Sequence, residues 1–184
     1  MRVIIISDTH DNISLLDKLD TYITRLRIET LFHLGDYVSP FTLRKLLSIL
    51  EKSNVDFLGI FGNNDGDKVL MLKTLGNSGK LFEPPAEADI DYLKVLVLHG
   101  FGPKDLTDRF VNSLALSRYY DLIIYGHTHT PRIDRIDGTV VLNPGAFSGY
   151  LTESPTLAFL DTDERSLAII DLHLSTVTKE LIFK

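Results

Sequence analysis

The chain has 184 residues, of which 44% are hydrophobic and 24% are charged, a composition typical of a folded globular protein and not of a disordered one. The sequence contains no cysteine, which excludes thiolate metal sites, cysteine nucleophiles and disulfides, so any metal must be held by oxygen and imidazole nitrogen. The formal net charge is -6, and no basic run offsets it locally. A nucleic-acid partner that binds through its phosphates is therefore disfavoured.

Apolar runs in the sequence are short. Only four aliphatic residues, Val3 to Ile6, precede the polar pair Ser7 and Asp8 near the N-terminus, which is too few for a signal-peptide core. The other apolar runs have similar lengths, so the sequence predicts no membrane-spanning segment. We therefore expect a cytoplasmic protein.

Strand and helix patterns alternate over the first two thirds of the chain. Apolar and β-branched runs predict strands over residues 2–6, 30–34, 55–61, 92–98 and 121–125. Helical spacing predicts three apolar helix faces, formed by Leu15, Leu19, Ile23 and Leu26, by Leu43, Leu46, Leu47 and Leu50, and by Leu106, Phe110 and Leu114. Ser39 and Pro40 predict the start of the second helix, because serine caps helices and proline suits their first turn. This alternation is typical of an α/β fold with a largely parallel sheet.

Two hairpins are predicted in the last third of the chain, with strands over residues 132–136, 139–142, 156–160 and 167–174. A parallel half followed by an antiparallel half indicates two packed sheets. The prolines of segment 83–87 make it the one linker-like stretch in the sequence. Because the polar residues described next come from both sides of this segment, we expect a single domain over residues 1–184.

Polar residues of ligand type follow six of the predicted strands, in the motifs Asp8-Thr9-His10, Gly35-Asp36, Asn63-Asn64-Asp65, His99-Gly100, His127-Thr128-His129 and Asn143-Pro144-Gly145. Ligands of α/β sheets bind at the carboxyl ends of the strands, so these motifs are expected to meet in one crevice. Each residue alone is more often a cap, a turn residue or a buried polar group than a ligand. Their occurrence together at so many strand ends favours a binding site.

The residue types of these motifs suit two transition-metal ions. Asp8 and His10, like His127 and His129, are two residues apart, which in an extended backbone places both side chains on one face. The motifs offer three or four oxygen ligands and four imidazoles, a set too rich in nitrogen for magnesium or calcium. A shared carboxylate, for which Asp36 is the candidate, would hold two ions about 3.5–4 Å apart, and a bridging water would become a hydroxide that attacks phosphorus in line.

The order of the motifs, Asp-X-His, Gly-Asp, Gly-Asn-X-Asp, His-Gly and Gly-His-X-His, resembles that of the calcineurin-like metallophosphoesterase superfamily. The chain length and segments 62–66 and 143–152 are most similar to its small prokaryotic phosphodiesterase branch. The resemblance implies an α/β fold in four layers, α/β/β/α, in which two mixed sheets lie between helices. It also implies two divalent ions, one on Asp8, His10, Asp36 and His129 and the other on Asp36, Asn63, His99 and His127. Manganese or nickel is favoured, with cobalt, iron and zinc as alternatives.

Two positions depart from the superfamily pattern. Many members carry a histidine at the position of Asn64, thought to orient the phosphoryl group or protonate the leaving oxygen, and an amide cannot act as a general acid. Asp65 could donate a proton only if its surroundings raise its pKa. We expect Asn64, Asp65 and the bridging Asp36 to be catalytic, with Asn64 also contacting the substrate, and diesters with good leaving groups to be preferred over monoesters. Phe101 replaces a histidine that relatives often carry and is expected to form an apolar wall.

Other polar residues near the motifs have further or simpler interpretations. Asn143 is a second candidate for contact with the substrate phosphate, although Asn-Pro is also a common turn. His33 lies inside a predicted strand and is expected to be buried or to support a ligand. His173 is expected on the polar face of the last predicted strand, and Asp11 and Asn12 are expected to cap the first helix.

The sequence thus predicts a binuclear metal-dependent phosphodiesterase that hydrolyses small phosphodiesters by attack of a metal-bridging hydroxide. One alternative is a metal-free protein-binding scaffold of the same fold. A phosphomonoesterase, including a protein phosphatase, is a second alternative, and a nuclease is a third that the acidic net charge weakens. All seven ligands implied by the resemblance are present, which favours catalysis. The sequence leaves a homo-oligomer open.

Overall fold

A computed structural model of the protein describes residues 1–182. Within these residues the helices are α1 (Ile13–Leu26), α2 (Pro40–Lys52), α3 (Lys68–Leu75) and α4 (Lys104–Ala115). The strands are β1 (Arg2–Ile6), β2 (Thr30–His33), β3 (Asp56–Ile60), β4 (Lys80–Phe82), β5 (Ala86–Ile90), β6 (Leu93–Leu98), β7 (Leu122–Tyr125), β8 (Arg132–Ile136), β9 (Thr139–Asn143), β10 (Thr156–Asp161), β11 (Ser166–Asp171) and β12 (Thr176–Ile182). None of the described helices has the length and hydrophobicity of a membrane span.

The strands form two mixed sheets. The first has seven strands in the order β12-β11-β10-β1-β2-β3-β4, and the second has five in the order β5-β6-β7-β9-β8. In the first sheet β1 to β4 are parallel, whereas β10, β11 and β12 pair antiparallel. In the second sheet β6, β7 and β9 are parallel, and the edge strands β5 and β8 pair antiparallel. The parallel strands of each sheet therefore end at a common edge.

Apolar layers on both faces of each sheet hold the structure together. In β1, Val3 and Ile5 lie in the cluster between the two sheets, and Ile4 and Ile6 lie in the cluster under α1, α2 and α3. Successive strand residues point to opposite faces, so a strand covered on both sides is apolar throughout. On the outer face of the second sheet, α4 contributes residues such as Val111 to a third cluster. The layers are therefore α/β/β/α, as the resemblance implies.

Four elements of the structure lack a strong sequence pattern and were not predicted. Helix α3 exposes Val69 and Leu72 and buries Met71 and Leu75, so its apolar residues form no single face. Strand β4 has only three residues. Apolar and polar side chains alternate in β5, and most residues of β12 are polar. The linker-like segment 83–87 leads directly into β5, which begins at Ala86 and pairs antiparallel with β6. The other predicted helices, strands and both hairpins are confirmed, with ends that differ by a few residues.

The position predicted for His173 is wrong. Strand β11 ends at Asp171, and His173 lies in the turn before β12. The carboxylate of Asp171 accepts the backbone N–H groups of His173 at 2.7 Å and Leu174 at 2.9 Å. An aspartate that binds the backbone two and three residues ahead stabilises a turn, which ends the strand earlier than the apolar pattern suggests.

Candidate metal centre

The seven predicted ligands lie together at the carboxyl ends of the strands. Loops after β1, β2, β3, β6 and β7 contribute them in chain order: Asp8 and His10, Asp36, Asn63, His99, and His127 and His129. Three of these loops belong to the first sheet and two to the second, so the packing of the two sheets creates the site. The crevice predicted from the strand ends is therefore formed.

The first ligand group consists of Asp8, His10 and His129, whose ligand atoms all lie within 4.8 Å of one another. Asp8 Oδ1 is 3.3 Å from His129 Nε2 and 3.9 Å from His10 Nε2. The imidazole nitrogens His10 Nε2 and His129 Nε2 are 3.2 Å apart. One carboxylate oxygen and two imidazole nitrogens therefore face a common centre, a set that suits a first-row transition metal.

The second ligand group is built around Asn63. Its Oδ1 lies 3.0 Å from His99 Nε2 and 2.9 Å from His127 Nδ1. His99 Nε2 is also 3.4 Å from Asp36 Oδ1, and His10 Nε2 of the first group is 3.7 Å from Asp36 Oδ2. The two oxygens of Asp36 thus face different groups, which is the arrangement expected of a carboxylate shared by two ions.

Hydrogen bonds from Asn64 hold the Asp36 carboxylate in this orientation. The backbone N–H of Asn64 donates to Oδ1 at 2.8 Å, and its side-chain amide donates to Oδ2 at 2.7 Å. Burial raises the pKa of Asp36, but hydrogen bonds from His99 and Asn64 outweigh it, so the pKa of Asp36 lies well below its usual range. The carboxylate is therefore ionised at neutral pH, as a metal ligand must be.

Five of the seven ligands have a left-handed backbone, with φ of 56° at Asp8, 41° at His10, 61° at Asp36, 66° at His127 and 60° at His129. The prediction that each pair lies on extended backbone is therefore wrong. Both pairs lie in loops, where the chain turns sharply at each ligand and the side chains converge for that reason. Left-handed backbone costs roughly 1–2 kcal/mol at a residue other than glycine. Bonds between loops, such as Asp8 N–H to Gly35 O at 3.0 Å, hold this backbone in place.

Backbone carbonyls orient three of the imidazoles. His99 Nδ1 lies 2.6 Å from Leu34 O, His127 Nε2 lies 2.7 Å from Gly102 O, and His129 Nδ1 lies 2.9 Å from Tyr150 O. Because a carbonyl oxygen only accepts hydrogen bonds, each of these nitrogens carries a proton and donates it. In the neutral ring the other nitrogen has a lone pair, and in all three residues it faces the ligand groups. Backbone carbonyls leave no pattern in a sequence, so sequence analysis could not identify these acceptors.

Divalent cations fit this set of donors. Asp8 Oδ1 is buried and has no hydrogen-bond partner within the described part of the chain, and such an atom costs about 1–3 kcal/mol or more when unpaired. Burial lowers the pKa of His99 and His129, but Asp36 and Asp8 outweigh it and raise both pKa values. The carboxylates thus attract positive charge at the imidazoles, and a divalent ion would replace protons there.

Asp65 supports the centre through the backbone of the ligand loops. Its Oδ2 accepts the N–H groups of Gly62 at 2.7 Å and Asp36 at 3.1 Å, and its Oδ1 accepts that of Val38 at 2.8 Å. Burial raises the pKa of Asp65 and outweighs the opposing effect of these hydrogen bonds. Since both oxygens face backbone donors, we assign Asp65 a positioning role in place of the catalytic role expected from the sequence. A side chain at Gly62 would overlap the Asp36 carboxylate, so this position requires glycine.

Asn143, at the end of β9, is fully buried. Its Nδ2 donates to Gly126 O at 2.9 Å and to Thr128 Oγ1 at 3.0 Å, and its Oδ1 accepts the N–H of Gly145 at 2.9 Å. The amide is therefore engaged within the protein and does not face the cleft. The expected contact between Asn143 and the phosphate is replaced by a role in holding the loop that carries the two histidines after β7.

His33 in β2 is fully buried next to the ligand loops. Its Nδ1 accepts the N–H of Gly35 at 3.2 Å, its Nε2 lies 3.1 Å from Thr9 Oγ1, and its ring stacks on Tyr37 with centroids 3.7 Å apart. Both nitrogens are therefore used within the protein. His33 joins the loop after β1 to the loop after β2, which agrees with a supporting role and not with a ligand.

The two residues that follow the first ligand pair do not cap α1 with their side chains as predicted. Asp11 accepts hydroxyl hydrogen bonds from Ser39 at 2.6 Å and Thr42 at 2.5 Å, which joins the loop after β1 to α2. Asn12 occupies the N-cap position without a side-chain capping bond, and its Nδ2 donates to Ser148 O at 3.1 Å. Both side chains therefore fix the ligand loop to neighbouring segments.

An open cleft of ≈ 660 Å³ lies over the first ligand group, lined by His10, Asn12, Val38, Asn64, Ser148, Gly149 and Tyr150. Phe101 lies outside this cleft, in an apolar groove of ≈ 470 Å³ that also borders His99. There its ring meets that of Phe110 edge-on, with centroids 5.1 Å apart. The predicted apolar wall is thus present near the second ligand group, but it belongs to a separate groove.

Two mixed sheets between helices, with histidines and carboxylates clustered at their carboxyl ends, define a metallophosphoesterase. The chain belongs to the calcineurin-like phosphoesterase superfamily, whose domain model matches residues 1–165. This match confirms the family indicated by the sequence motifs, and with it the fold and the phosphoesterase class of enzyme.

Relatives and solved structures agree with this assignment. Phosphodiesterase MJ0936 of Methanocaldococcus jannaschii is 33% identical over 167 residues, which are 90% of this chain and 95% of the relative. The structure of an archaeal phosphodiesterase is similar with a TM-score of 0.81 at 31% identity, over 94% of this chain and 100% of the other. Vps29 of Entamoeba histolytica complexed with zinc has a TM-score of 0.69 at 21% identity, over 100% of both chains, and shows similarity of fold alone.

Proposed function

We propose that the chain is a phosphodiesterase that uses two divalent metal ions to hydrolyse small phosphodiesters. The observation that supports this most is the position of Asp36 between the two ligand groups. Its Oδ2 is 3.7 Å from His10 Nε2, and its Oδ1 is 3.4 Å from His99 Nε2. Two-metal phosphoesterases hold their ions about 3.5–4 Å apart, a spacing that a shared carboxylate provides.

We assign the first ion to Asp8, His10, Asp36 and His129, and the second to Asp36, Asn63, His99 and His127. Ligand sets rich in imidazole suit manganese, nickel, cobalt, iron or zinc better than magnesium or calcium, and we favour manganese or nickel. When bound, two such ions supply a nucleophile derived from water near neutral pH and offset the negative charge that develops on the phosphoryl oxygens.

Asn64 and Asp65 orient the centre and are not placed to supply a proton to the leaving group. Asn64 is an amide that donates to Asp36, and both oxygens of Asp65 accept backbone hydrogen bonds. Neither residue is placed to act as a general acid, so the rate is expected to depend strongly on the leaving group. A phosphodiester carries one negative charge and meets less repulsion from the carboxylates than a dianionic monoester, which favours diesters.

The alternatives differ from this proposal in observable ways. A metal-free scaffold would bind no stoichiometric metal, and it has no need for imidazoles whose free nitrogens face carboxylates. A phosphomonoesterase would prefer a dianionic substrate, for which Asn64 offers no proton donor at the leaving oxygen. A nuclease would have to attract an extended polyanion, which a net charge of -6 opposes.

Metal content and matched substrates test the proposal together. Purified protein is analysed for bound metals and assayed with bis(p-nitrophenyl) phosphate and p-nitrophenyl phosphate, with manganese, nickel, cobalt or magnesium added. We expect a pair of transition-metal ions per chain and faster hydrolysis of the diester. Protein that binds no transition metal and hydrolyses neither ester would contradict the proposal and favour the scaffold. Faster hydrolysis of the monoester would favour the phosphomonoesterase.

Two histidine variants provide a matched control for this test. His127→Ala and His173→Ala each remove one imidazole, but His127 belongs to the second ligand group, whereas His173 lies in an exposed turn. We expect His127→Ala to lower diester hydrolysis by more than about 100-fold, since losing even a residue that only supports a ligand costs 10- to 100-fold. His173→Ala should retain activity. Equal losses in both variants would contradict the assignment of His127 as a ligand.

A further inference from the structure

The cleft over the first ligand group combines apolar side chains with groups of the metal centre. Val38 and Tyr150 contribute apolar surface, His10 is a predicted ligand, and Asn64 contacts the shared carboxylate. The described residues that line the cleft include no lysine or arginine. A substituent on a bound phosphate would therefore meet the apolar surface of Val38 and Tyr150 beside the polar side chains of Asn12 and Ser148, without a cation to pair with a further negative charge.

Tyr150 is held in a fixed place beside the first ligand group. Its ring centroid is 5.6 Å from that of His10 and 6.2 Å from that of His129. Its carbonyl accepts a hydrogen bond from His129 Nδ1 at 2.9 Å, and its N–H donates to Ser148 Oγ at 3.1 Å. The N–H of Ser148 in turn donates to Asp8 O at 3.2 Å. Tyr150 is nevertheless 57% exposed as a residue, which leaves ring surface available to a ligand.

Val38 lines the same cleft in an unfavourable backbone conformation. Its φ is 77°, and it is the only β-branched residue with a positive φ among the described residues. Its N–H donates to Asp65 Oδ1 at 2.8 Å, and its carbonyl accepts the N–H of Gly66 at 3.0 Å. Glycine or asparagine would adopt this conformation at lower cost, so the backbone alone does not account for valine here. Residues forced into such conformations cluster at ligand sites.

We propose that the cleft binds a planar aromatic substituent of the phosphodiester, which stacks on Tyr150 and packs against Val38. The inference rests on the proposed function, because the metal centre would hold the phosphate that places this substituent. The cleft of ≈ 660 Å³ has the size of a small-molecule site, for which roughly 300–1,000 Å³ is usual. A nucleobase and a simple aryl ring share the flat aromatic face that stacks on tyrosine.

Three phosphate esters with the same charged group test this inference and separate the two kinds of ring. Binding of methyl phosphate, phenyl phosphate and thymidine 5′-monophosphate to manganese-supplied protein is measured by calorimetry, which requires no turnover. Since stacking on an aromatic side chain strengthens binding by about tenfold or more, we expect phenyl phosphate to bind about tenfold more tightly than methyl phosphate. If thymidine 5′-monophosphate gains as much affinity over methyl phosphate as phenyl phosphate does, the cleft accepts a nucleobase. If only phenyl phosphate gains affinity, the cleft accepts simple aryl groups.

Variants at Tyr150 connect the preference to its ring. Tyr150→Leu should reduce the preference to within about threefold, and Tyr150→Phe should keep it because the stacking face remains. Tyr92→Leu is the matched control, since Tyr92 is also 57% exposed and its hydroxyl donates to Thr162 O, away from the cleft. Equal affinity of the unaltered protein for all three esters, or an unchanged preference in Tyr150→Leu, would overturn the proposal.

Failure of the metal centre would give a different result. Loss of the metal centre would weaken the binding of all three esters, because they share the phosphate. If the cleft binds no aromatic ring, the three esters would instead bind with equal affinity. Val38→Gly adds a second measurement, since glycine adopts a φ of 77° without strain. Val38→Gly should keep the thermal midpoint of unfolding, and its preference for phenyl phosphate over methyl phosphate should fall several-fold. An unchanged preference in Val38→Gly would contradict the packing of the ring against Val38.

Discussion

The two ligand groups differ in how far the protein itself satisfies their polar atoms. On the side of the second group, Asp36 Oδ1 accepts the backbone N–H of Asn64 at 2.8 Å, and Asn63 Oδ1 lies 3.0 and 2.9 Å from the lone-pair nitrogens of His99 and His127. In the first group, Asp8 Oδ1 is buried without a hydrogen-bond partner in the described chain, and the Nε2 atoms of His10 and His129 face each other at 3.2 Å. The first group therefore depends more strongly on a cation.

The two ligand groups also differ in backbone conformation and in how they meet the surface. Every member of the first group has a left-handed φ, whereas in the second group this holds for His127 and for the shared Asp36. The open cleft lies over the first group, with His10 in its lining. The first group is thus held by loops with left-handed backbone and borders the open cleft through His10, whereas the second group reaches the surface at the exposed Asn63 and the half-buried His127.

Asp36→Ala is expected to have the largest effect, because it removes the carboxylate that the proposal assigns to both ions. We expect loss of both ions and of diester hydrolysis down to the background rate. Elemental analysis and the chromogenic diester assay measure the two quantities on the same sample. Full activity in Asp36→Ala would refute the two-metal proposal, and retention of one ion would show that the groups do not depend equally on this carboxylate.

His10→Ala and His127→Ala should separate the groups. Each variant is expected to keep the ion of the other group, so metal content should fall by half in both. Manganese stabilises the folded protein according to its affinity, by about 2.7 kcal/mol at a concentration 100 times the dissociation constant. Since the first group is less satisfied without a cation, His10→Ala should lose the larger share of this stabilisation. Thermal unfolding with and without manganese provides the measurement, and a larger loss in His127→Ala would reverse the comparison.

Asn64→His introduces a side chain that can donate a proton near the shared carboxylate. If protonation of the leaving oxygen limits the rate, esters with poor leaving groups should gain up to about 100-fold, in the range of general acid catalysis. Diesters of a series of substituted phenols give the dependence of kcat on the pKa of the leaving phenol. A slope equal to that of the unaltered protein would contradict this account. Metal content serves as the control, because Asn64 also donates to Asp36.

His33→Phe should have a smaller effect, since His33 acts only through other residues. Phenylalanine can keep the stack on Tyr37 but loses the bonds to Gly35 and Thr9, so we expect about tenfold weaker manganese binding. The unpaired Gly35 N–H should also lower the free energy of unfolding by about 1–3 kcal/mol. Manganese titration and denaturant unfolding measure the two effects.

Tyr37→Phe is the control for this variant, because it removes a buried hydroxyl that has no hydrogen-bond partner among the described residues and keeps the ring. Its metal affinity should be unchanged, and its free energy of unfolding should not fall, since an unpaired buried hydroxyl costs about 1–3 kcal/mol. If His33→Phe bound manganese as tightly as Tyr37→Phe, the role of His33 in joining the two ligand loops would be contradicted.

Sequence analysis identified the positions where ligands could lie, because a change from apolar to polar residues at a strand end is local in the sequence. The ends of β1, β2 and β7 illustrate this, since each is followed directly by the residues that face the centre. The extended geometry assumed for the Asp8 and His127 pairs was wrong, because a left-handed turn depends on bonds to other loops. The predicted contact between Asn143 and the phosphate was wrong for the same reason, because the hydrogen-bond partners of Asn143 lie in a neighbouring loop.

The sequence by itself determined the α/β pattern, the family and the chemical nature of the ligands, since these follow from residue type and from spacing along the chain. Tertiary structure alone decided which oxygen of Asp36 faces which group, which nitrogen of His99, His127 and His129 is free, and that Val38 and Tyr150 share a cleft. Those features depend on contacts between residues far apart in the chain, and on backbone atoms that every residue type has in common.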